Sequence, residues 1–122
     1  MRSTWIVDSG CTAHMTLDKT LFETYEVLTD ETVEMGTKAT TKVAGRGSIV
    51  LRMQCGSSFE VRKLKNVLHI PSFEYSLLSV SALDKNGIQT TFGDGKCVIQ
   101  NSSLKGATAD LNGSLYLSLI HI

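Results

Sequence analysis

Asp8, Ser9 and Gly10 are the residues best placed to do chemistry in this sequence. The apolar run Trp5-Ile6-Val7 leads straight into a carboxylate, and the two residues after it suit a sharp turn. A serine hydroxyl can brace such a turn, and a glycine lets backbone approach closely. What a carboxylate held at a strand end offers is proton transfer. A bare Asp-Ser-Gly is equally the Asx-type turn that ends an ordinary strand, so its surroundings decide between the two. Next to it, Cys11 and His14 form a C-x-x-H pair, with His69 and His121 as conceivable further ligands. A zinc site usually takes its ligands as two close pairs, and the sequence has no second pair, so neither a metal nor any other cofactor is expected.

The elements that must position Asp8 read as β-structure. Gly, Asn and Ser clusters recur about every ten residues, and the segments between them are rich in Val, Ile, Leu and Thr, the spacing of an all-β barrel or sandwich. Thr4-Trp5-Ile6-Val7 is a strand entering the Asp8 turn. Leu17, Leu21, Phe22 and Tyr25 stand at helical spacing, which predicts a short helix over residues 17–25 capped by Thr16 or Asp18. Thr32-Val33-Glu34-Met35 and Thr41-Lys42-Val43-Ala44 flank a polar loop and predict an exposed hairpin. Residues 48–55 and 59–65 predict an antiparallel pair, Val67-Leu68-His69-Ile70 a strand closed by Pro71, and Ser76-Leu77-Leu78-Ser79 another. A short helix follows over residues 80–86, with Ser at its N-cap, Lys85 in its last turn and Gly87 just beyond. Gly93-Asp94-Gly95 marks a hairpin between residues 89–92 and 96–100. Residues 101–113 read as a polar, Gly-rich tail before the apolar run Leu115-Tyr116-Leu117-Ser118-Leu119-Ile120.

Composition narrows the function classes. The 122 residues suit one compact domain, and 42% of them are hydrophobic. Twelve Lys plus Arg balance twelve Asp plus Glu, so there is no net positive field and no direct nucleic-acid partner is expected. No apolar stretch approaches the ~20 residues of a membrane helix, and no secretory signal is visible, so no membrane partner is expected either. Cys11, Cys55 and Cys97 are an odd number at wide spacing, which points to reduced thiols in a cytosol-like compartment, with Cys55 and Cys97 as small buried apolar side chains.

The full run Trp5-Ile6-Val7-Asp8-Ser9-Gly10-Cys11-Thr12-Ala13-His14-Met15 resembles the active-site segment of the protease in Ty1/copia-type retrotransposon polyproteins. The likeness continues in register. Val33-Glu34-Met35-Gly36 with Val43-Ala44-Gly45-Arg46-Gly47 resembles the family's flap hairpin and the Gly-x-Gly strand after it. Leu64-Lys65-Asn66-Val67-Leu68-His69-Ile70-Pro71 resembles its "l-x-n-V-l-h-v-P" strand. Ser76-Leu77-Leu78-Ser79-Val80, followed by Asn86-Gly87 and Phe92, resembles its "N-L-L-S-v … G … F" segment. Gly113-Ser114-Leu115-Tyr116-Leu117 is similar to the "G-x-L-Y-x-L" that lies past the protease.

The resemblance implies a mainly β, retropepsin-like closed β-barrel (the acid-protease fold) with a flap hairpin and one or two short helices. Residues 1–105 would form the protease domain. Residues 106–122 would be a dimer-interface strand meeting the N-terminal segment of a second chain, or the start of a linker toward integrase. It also implies an aspartic endopeptidase that processes a Gag-Pol-like polyprotein in a cytoplasmic retrotransposon particle, with an extended peptide as substrate. Aspartic proteolysis needs two facing carboxylates, one protonated and one activating a water. None of Asp18, Asp30, Asp84, Asp94 and Asp110 is followed by Ser-Gly or Thr-Gly, so the second carboxylate has to be the Asp8 of a symmetric homodimer. In that scheme Asp8 and its mate titrate as one coupled dyad, and loss of the shared proton makes the reaction favour mildly acidic over alkaline pH.

Further roles follow from the same likeness. Ser9 hydrogen-bonds the carboxylate or its neighbour across the dimer, and Gly10 lines the cleft with backbone. Met35, Gly36, Thr37, Lys38, Ala39 and Thr40 form the flap that closes over substrate. Leu77, Leu78 and Ser79 support the active-site turn from beneath. His14 reads as a hydrogen-bonded structural histidine, Trp5 as core or dimer surface, and Lys38 and Lys42 as solvated lysines. The alternative function is a catalytically silent retropepsin-like module that dimerises and binds peptide by strand addition.

Overall fold

A computed structural model of the chain describes residues 2–34, 39–55, 58–100, 107–112 and 115–121. Among these the chain forms β1 (Arg2–Asp8), β2 (Met15–Thr16), a 3-10 turn (Lys19–Leu21), β3 (Phe22–Glu34), β4 (Thr40–Cys55), β5 (Ser58–His69), β6 (Ser76–Ser79), α1 (Val80–Lys85), β7 (Gln89–Gly93), β8 (Lys96–Gln100), β9 (Ala107–Asn112) and β10 (Leu115–His121). The strands make one ten-stranded sheet in the order β3-β4-β5-β2-β6-β1-β10-β9-β8-β7.

The fold is mainly β, as the turn spacing predicts, but the sheet is not closed. It curls far enough for β10 to reach β4 through Ile120↔Met53 and His121↔Arg52. Its end strands β3 and β7 do not pair with each other, so the expected closed barrel is corrected to an open, curled sheet. The reason is visible in β3, a 13-residue strand whose far end runs out with β4 as a two-stranded arm and leaves most of its side chains exposed.

Three further expectations are revised. The helix predicted over residues 17–25 shrinks to one 3-10 turn, whose N-cap Asp18 accepts a hydrogen bond from the Thr20 amide. Phe22 and Tyr25 belong to β3 instead. Their aromatic spacing suits either structure, and the ladder from Phe22↔Ile49 to Glu34↔Thr40 offers backbone hydrogen bonds that an isolated short helix cannot match. The separate strands predicted over 41–44 and 48–55 are one strand, β4, and those over 59–65 and 67–70 are one strand, β5. Asn66 in left-handed conformation (φ 57°) accompanies the register shift opposite Gly47 and Ile49 that keeps β5 continuous. Part of the polar tail is also a strand, because β9 pairs with both β8 and β10. Asp94 and Gly95 both have positive φ, 52° and 73°, which the two-residue turn between β7 and β8 requires.

The main core gathers Trp5, Val7, Ile49, Leu51, Leu64, Val67, Leu78, Leu83, Cys97 and Ile99. Trp5 and Cys97 are fully buried, as core positions. A smaller cluster of Met15, Val43 and Ile70, with Val33 and Leu77 packed against it, lies where the β3–β4 arm meets the rest of the sheet. Gly47 makes the β3–β4 crossing possible: a Cβ there would sit 1.8 Å from the Thr24 carbonyl oxygen. β10 pairs antiparallel with β1 of its own chain, from Arg2↔His121 to Val7↔Tyr116.

Candidate active site

Asp8 is the last residue of β1, and the strand that positions it is held from both sides. β10 pairs along one edge, and β6 runs parallel along the other in the register Ile6↔Leu77, Val7↔Leu78 and Asp8↔Ser79. β2 pairs with the opposite edge of β6 through Met15↔Leu77. The turn from Ser9 to His14 therefore leaves one neighbour of β6 and returns on the other, passing over the end of β6. The hydrogen bonds from the Leu68 amide to the His14 carbonyl and from the Ile70 amide to the Thr16 carbonyl, each 2.9 Å, tie the returning chain to β5.

Within the turn the Gly10 amide donates to Asp8 Oδ1 at 2.7 Å, which fixes the rotamer of the carboxylate. A Cβ on Gly10 would stand 3.1 Å from that oxygen, so a side chain there would press on the group the turn holds. Ser9 is exposed, and its hydroxyl makes no hydrogen bond to Asp8 within the chain. The brace that reaches the carboxylate within the chain is thus backbone.

Ser79 lies under the turn with no exposed surface. Its hydroxyl donates to the Cys11 carbonyl at 2.7 Å and accepts from the Ala82 amide at 3.1 Å, so one side chain both anchors the turn and caps α1. Its own amide donates to His14 Nδ1 at 2.9 Å. Ser81 Oγ also donates to the Cys11 carbonyl, at 3.2 Å. Leu78 fills the main core beside β1, and Leu77 faces the cleft.

Burial shifts both titratable groups that neighbour the carboxylate. Burial holds His14 down to about pKa 4, so near neutrality it is the uncharged acceptor that the Ser79 amide needs. Burial, and then the negative charge of Asp8, push the Cys11 thiol up to about 11, so it stays protonated and points its hydrogen at the Asp8 carbonyl, 3.7 Å away. Neither residue offers a nucleophile or a base near pH 7, and each already has a partner. Among the described residues no cluster of His, Cys, Asp and Glu is arranged to hold a metal ion.

A cleft of about 500 Å3 opens in front of Asp8. Gly10, Cys11 and Thr12 form one rim, Met15 and Leu77 the floor, and Val33 with Glu34 from the end of β3 the far wall. Of the predicted flap, Ala39 and Thr40 are exposed, Thr40 pairs with Glu34 at the mouth of the hairpin, and Met35, Gly36, Thr37 and Lys38 lie outside the described residues. Lys42 is exposed on the same arm. Sequence reasoning missed Glu34, Val33 and Met15 as lining residues. They come from two segments whose approach depends on the long-range β2–β5 and β3–β4 pairings, and no local pattern marks it.

Residues 5–88 match the family described as "Pol polyprotein, beta-barrel domain". The chain is 33% identical over 114 residues to the "Retrovirus-related Pol polyprotein from transposon TNT 1-94" of Nicotiana tabacum, an alignment that covers 93% of this chain and 8% of that protein. The chain thus spans a small fraction of the relative it matches. No solved structure matches it.

Proposed function

The chain belongs to the Pol polyprotein beta-barrel domain family, and from that premise we propose that it is a retropepsin-like aspartic endopeptidase that processes a retrotransposon Gag-Pol-like polyprotein. One observation carries the reading: a single Asp-Ser-Gly carboxylate, oriented by the Gly10 amide, stands at a strand end on the rim of an apolar cleft faced by a hairpin. The flanking thiol and imidazole are held in unreactive forms, which leaves carboxylate chemistry.

Two copies related by a two-fold axis bring two Asp8 side chains together. One carboxyl of the dyad keeps a proton, because two adjacent like charges do not both ionise readily. The ionised partner takes a proton from a water, whose oxygen attacks the scissile carbonyl, while the protonated partner donates to the carbonyl oxygen. Proton return to the leaving nitrogen completes hydrolysis. Gly10 lines the cleft, and Ser9, exposed within the single chain, faces the second subunit. Met35, Gly36, Thr37, Lys38, Ala39 and Thr40 close over the extended peptide, whose apolar side chains rest on Met15, Val33 and Leu77. Leu77, Leu78 and Ser79 hold the turn in place. The setting is a cytoplasmic retrotransposon particle, and among the described residues no helix is long and apolar enough to cross a membrane.

The test is cleavage of a precursor fragment carrying this domain with its flanking segments. The parent should process it with a rate steeper than linear in protein concentration, and Asp8→Asn should be slower by at least about a hundredfold. Equal rates for the two would sink the proposal. No processing by either, with dimers intact, would favour the silent peptide-binding module.

A further inference from the structure

We propose that Glu34 gives the cleft a preference for peptides that carry a lysine or arginine close to the cleaved bond. The inference rests on the proteolytic reading for the position of that bond, but its physical basis is the cleft itself. Among the described residues the charged groups lining the cleft are Asp8 and Glu34, and no described cation lines it. Asp8 is committed to the Gly10 amide. Glu34 is exposed, and among the described residues no hydrogen bond or ion pair engages it. The basic residue nearest to it in the β3–β4 ladder, Lys42, stands opposite Thr32, two positions back from Glu34, and is not within ion-pair distance.

The carboxylate is nevertheless well placed. Glu34 ends the β3–β4 ladder opposite Thr40, and its neighbour Val33 packs into the cluster of Met15, Val43 and Ile70. The packing of Val33 therefore brings Glu34 to the edge of the cleft. In an extended peptide, side chains on one face recur about every 7 Å. A substrate that sets an apolar side chain on Met15 and Leu77 can bring a neighbouring side chain to the far wall. An ammonium or guanidinium there meets an unpaired carboxylate beside apolar surface, whereas a second carboxylate meets like charge. Glu34 does not touch the reacting atoms in this scheme, and acts by selecting the peptide.

The experiment uses fluorogenic peptides with an apolar pair at the cleaved bond and Lys, Gln or Glu placed in turn at each flanking position. Cleavage and, separately, binding are measured for the parent, Glu34→Gln and Glu34→Lys. At one flanking position the parent should favour Lys over Glu by about fivefold or more in kcat/KM and in affinity. Glu34→Gln should erase that preference, and Glu34→Lys should reverse it. Glu26→Gln, on the same strand outside the cleft, should leave it unchanged. Indifference of the parent to the flanking charge at every position, or a Lys preference that survives Glu34→Lys, overturns the inference while leaving the proteolytic reading intact. Binding that follows the same charge rule without any cleavage supports the inference and removes the proteolytic reading.

Discussion

The turn that carries Asp8 and the β3–β4 arm across the cleft from it are built in different ways. Beneath the turn, Ser79, His14 and the Thr16–Ser76 hydroxyl pair are all buried, and every one of them has a hydrogen-bond partner. The arm places Val33 and Val43 against the core and leaves Glu31, Thr32, Glu34, Thr40 and Lys42 in solvent. A buried polar network has few arrangements that satisfy all its members, so it holds one geometry. A two-stranded arm anchored by Leu28, Val33 and Val43, with most of its other β3 side chains in solvent, can shift without breaking anything expensive. The comparison teaches that one side of the cleft is made to stay where it is and the other is made to accommodate.

Breaking the buried side should therefore cost most. His14 binds its proton near pH 4 in the fold and near 6.5 when free of it. Below about 6.5 the unfolded chain takes up the proton first, so the stability associated with neutral His14 is complete above that pH and is lost as the pH falls toward 4. The total loss is about 3 kcal/mol. Denaturant titrations at neutral and acid pH should show this slope, and His14→Asn, which keeps an acceptor but cannot titrate, should flatten it. An unchanged slope would mean that the loss belongs to carboxylates elsewhere. Next in size, Ser79→Ala removes the anchor of the turn and the cap of α1 together and should destabilise by about 2 kcal/mol. A cost below about 0.5 kcal/mol, within the range of ordinary surface substitutions, would show that Ser81 and the backbone suffice. Smallest, Lys42→Ala on the arm should change stability by less than about 0.5 kcal/mol. A larger loss would mean that the arm is more tightly held than its exposure implies.

Local rules made some of this legible in the sequence. Ser79 caps α1, Lys85 ends it, and Gly87 follows in left-handed conformation, as the residue types predict. The turn at Asp94 and Gly95 was equally plain, and so was a carboxylate at the end of an apolar strand. The failures share one cause. The helix expected over residues 17–25, the divided β4 and β5, the missing β9 and the closed barrel all turn on pairings between distant residues, which side-chain spacing does not report. At the site, the same limit hid Glu34. Its proximity to Asp8 follows from the β3–β4 register and from the packing of Val33. His14 is buried and hydrogen-bonded, as its sequence context predicts, while its specific partner, the Ser79 amide, depends on the parallel β1–β6 alignment.

The pairing of Arg2 with His121 carries a kinetic meaning. The strand that bears Asp8 is synthesised well before the strand that covers one of its edges. At ~5–20 residues per second, on the order of ten seconds separates the two on the ribosome. During that interval β1 has an uncovered edge, and the contact that joins it to β10 spans almost the whole sequence, the kind of closure that slows folding. A nascent chain therefore keeps its Asp8 strand incomplete until synthesis has passed β10, a delay built into the order of the strands.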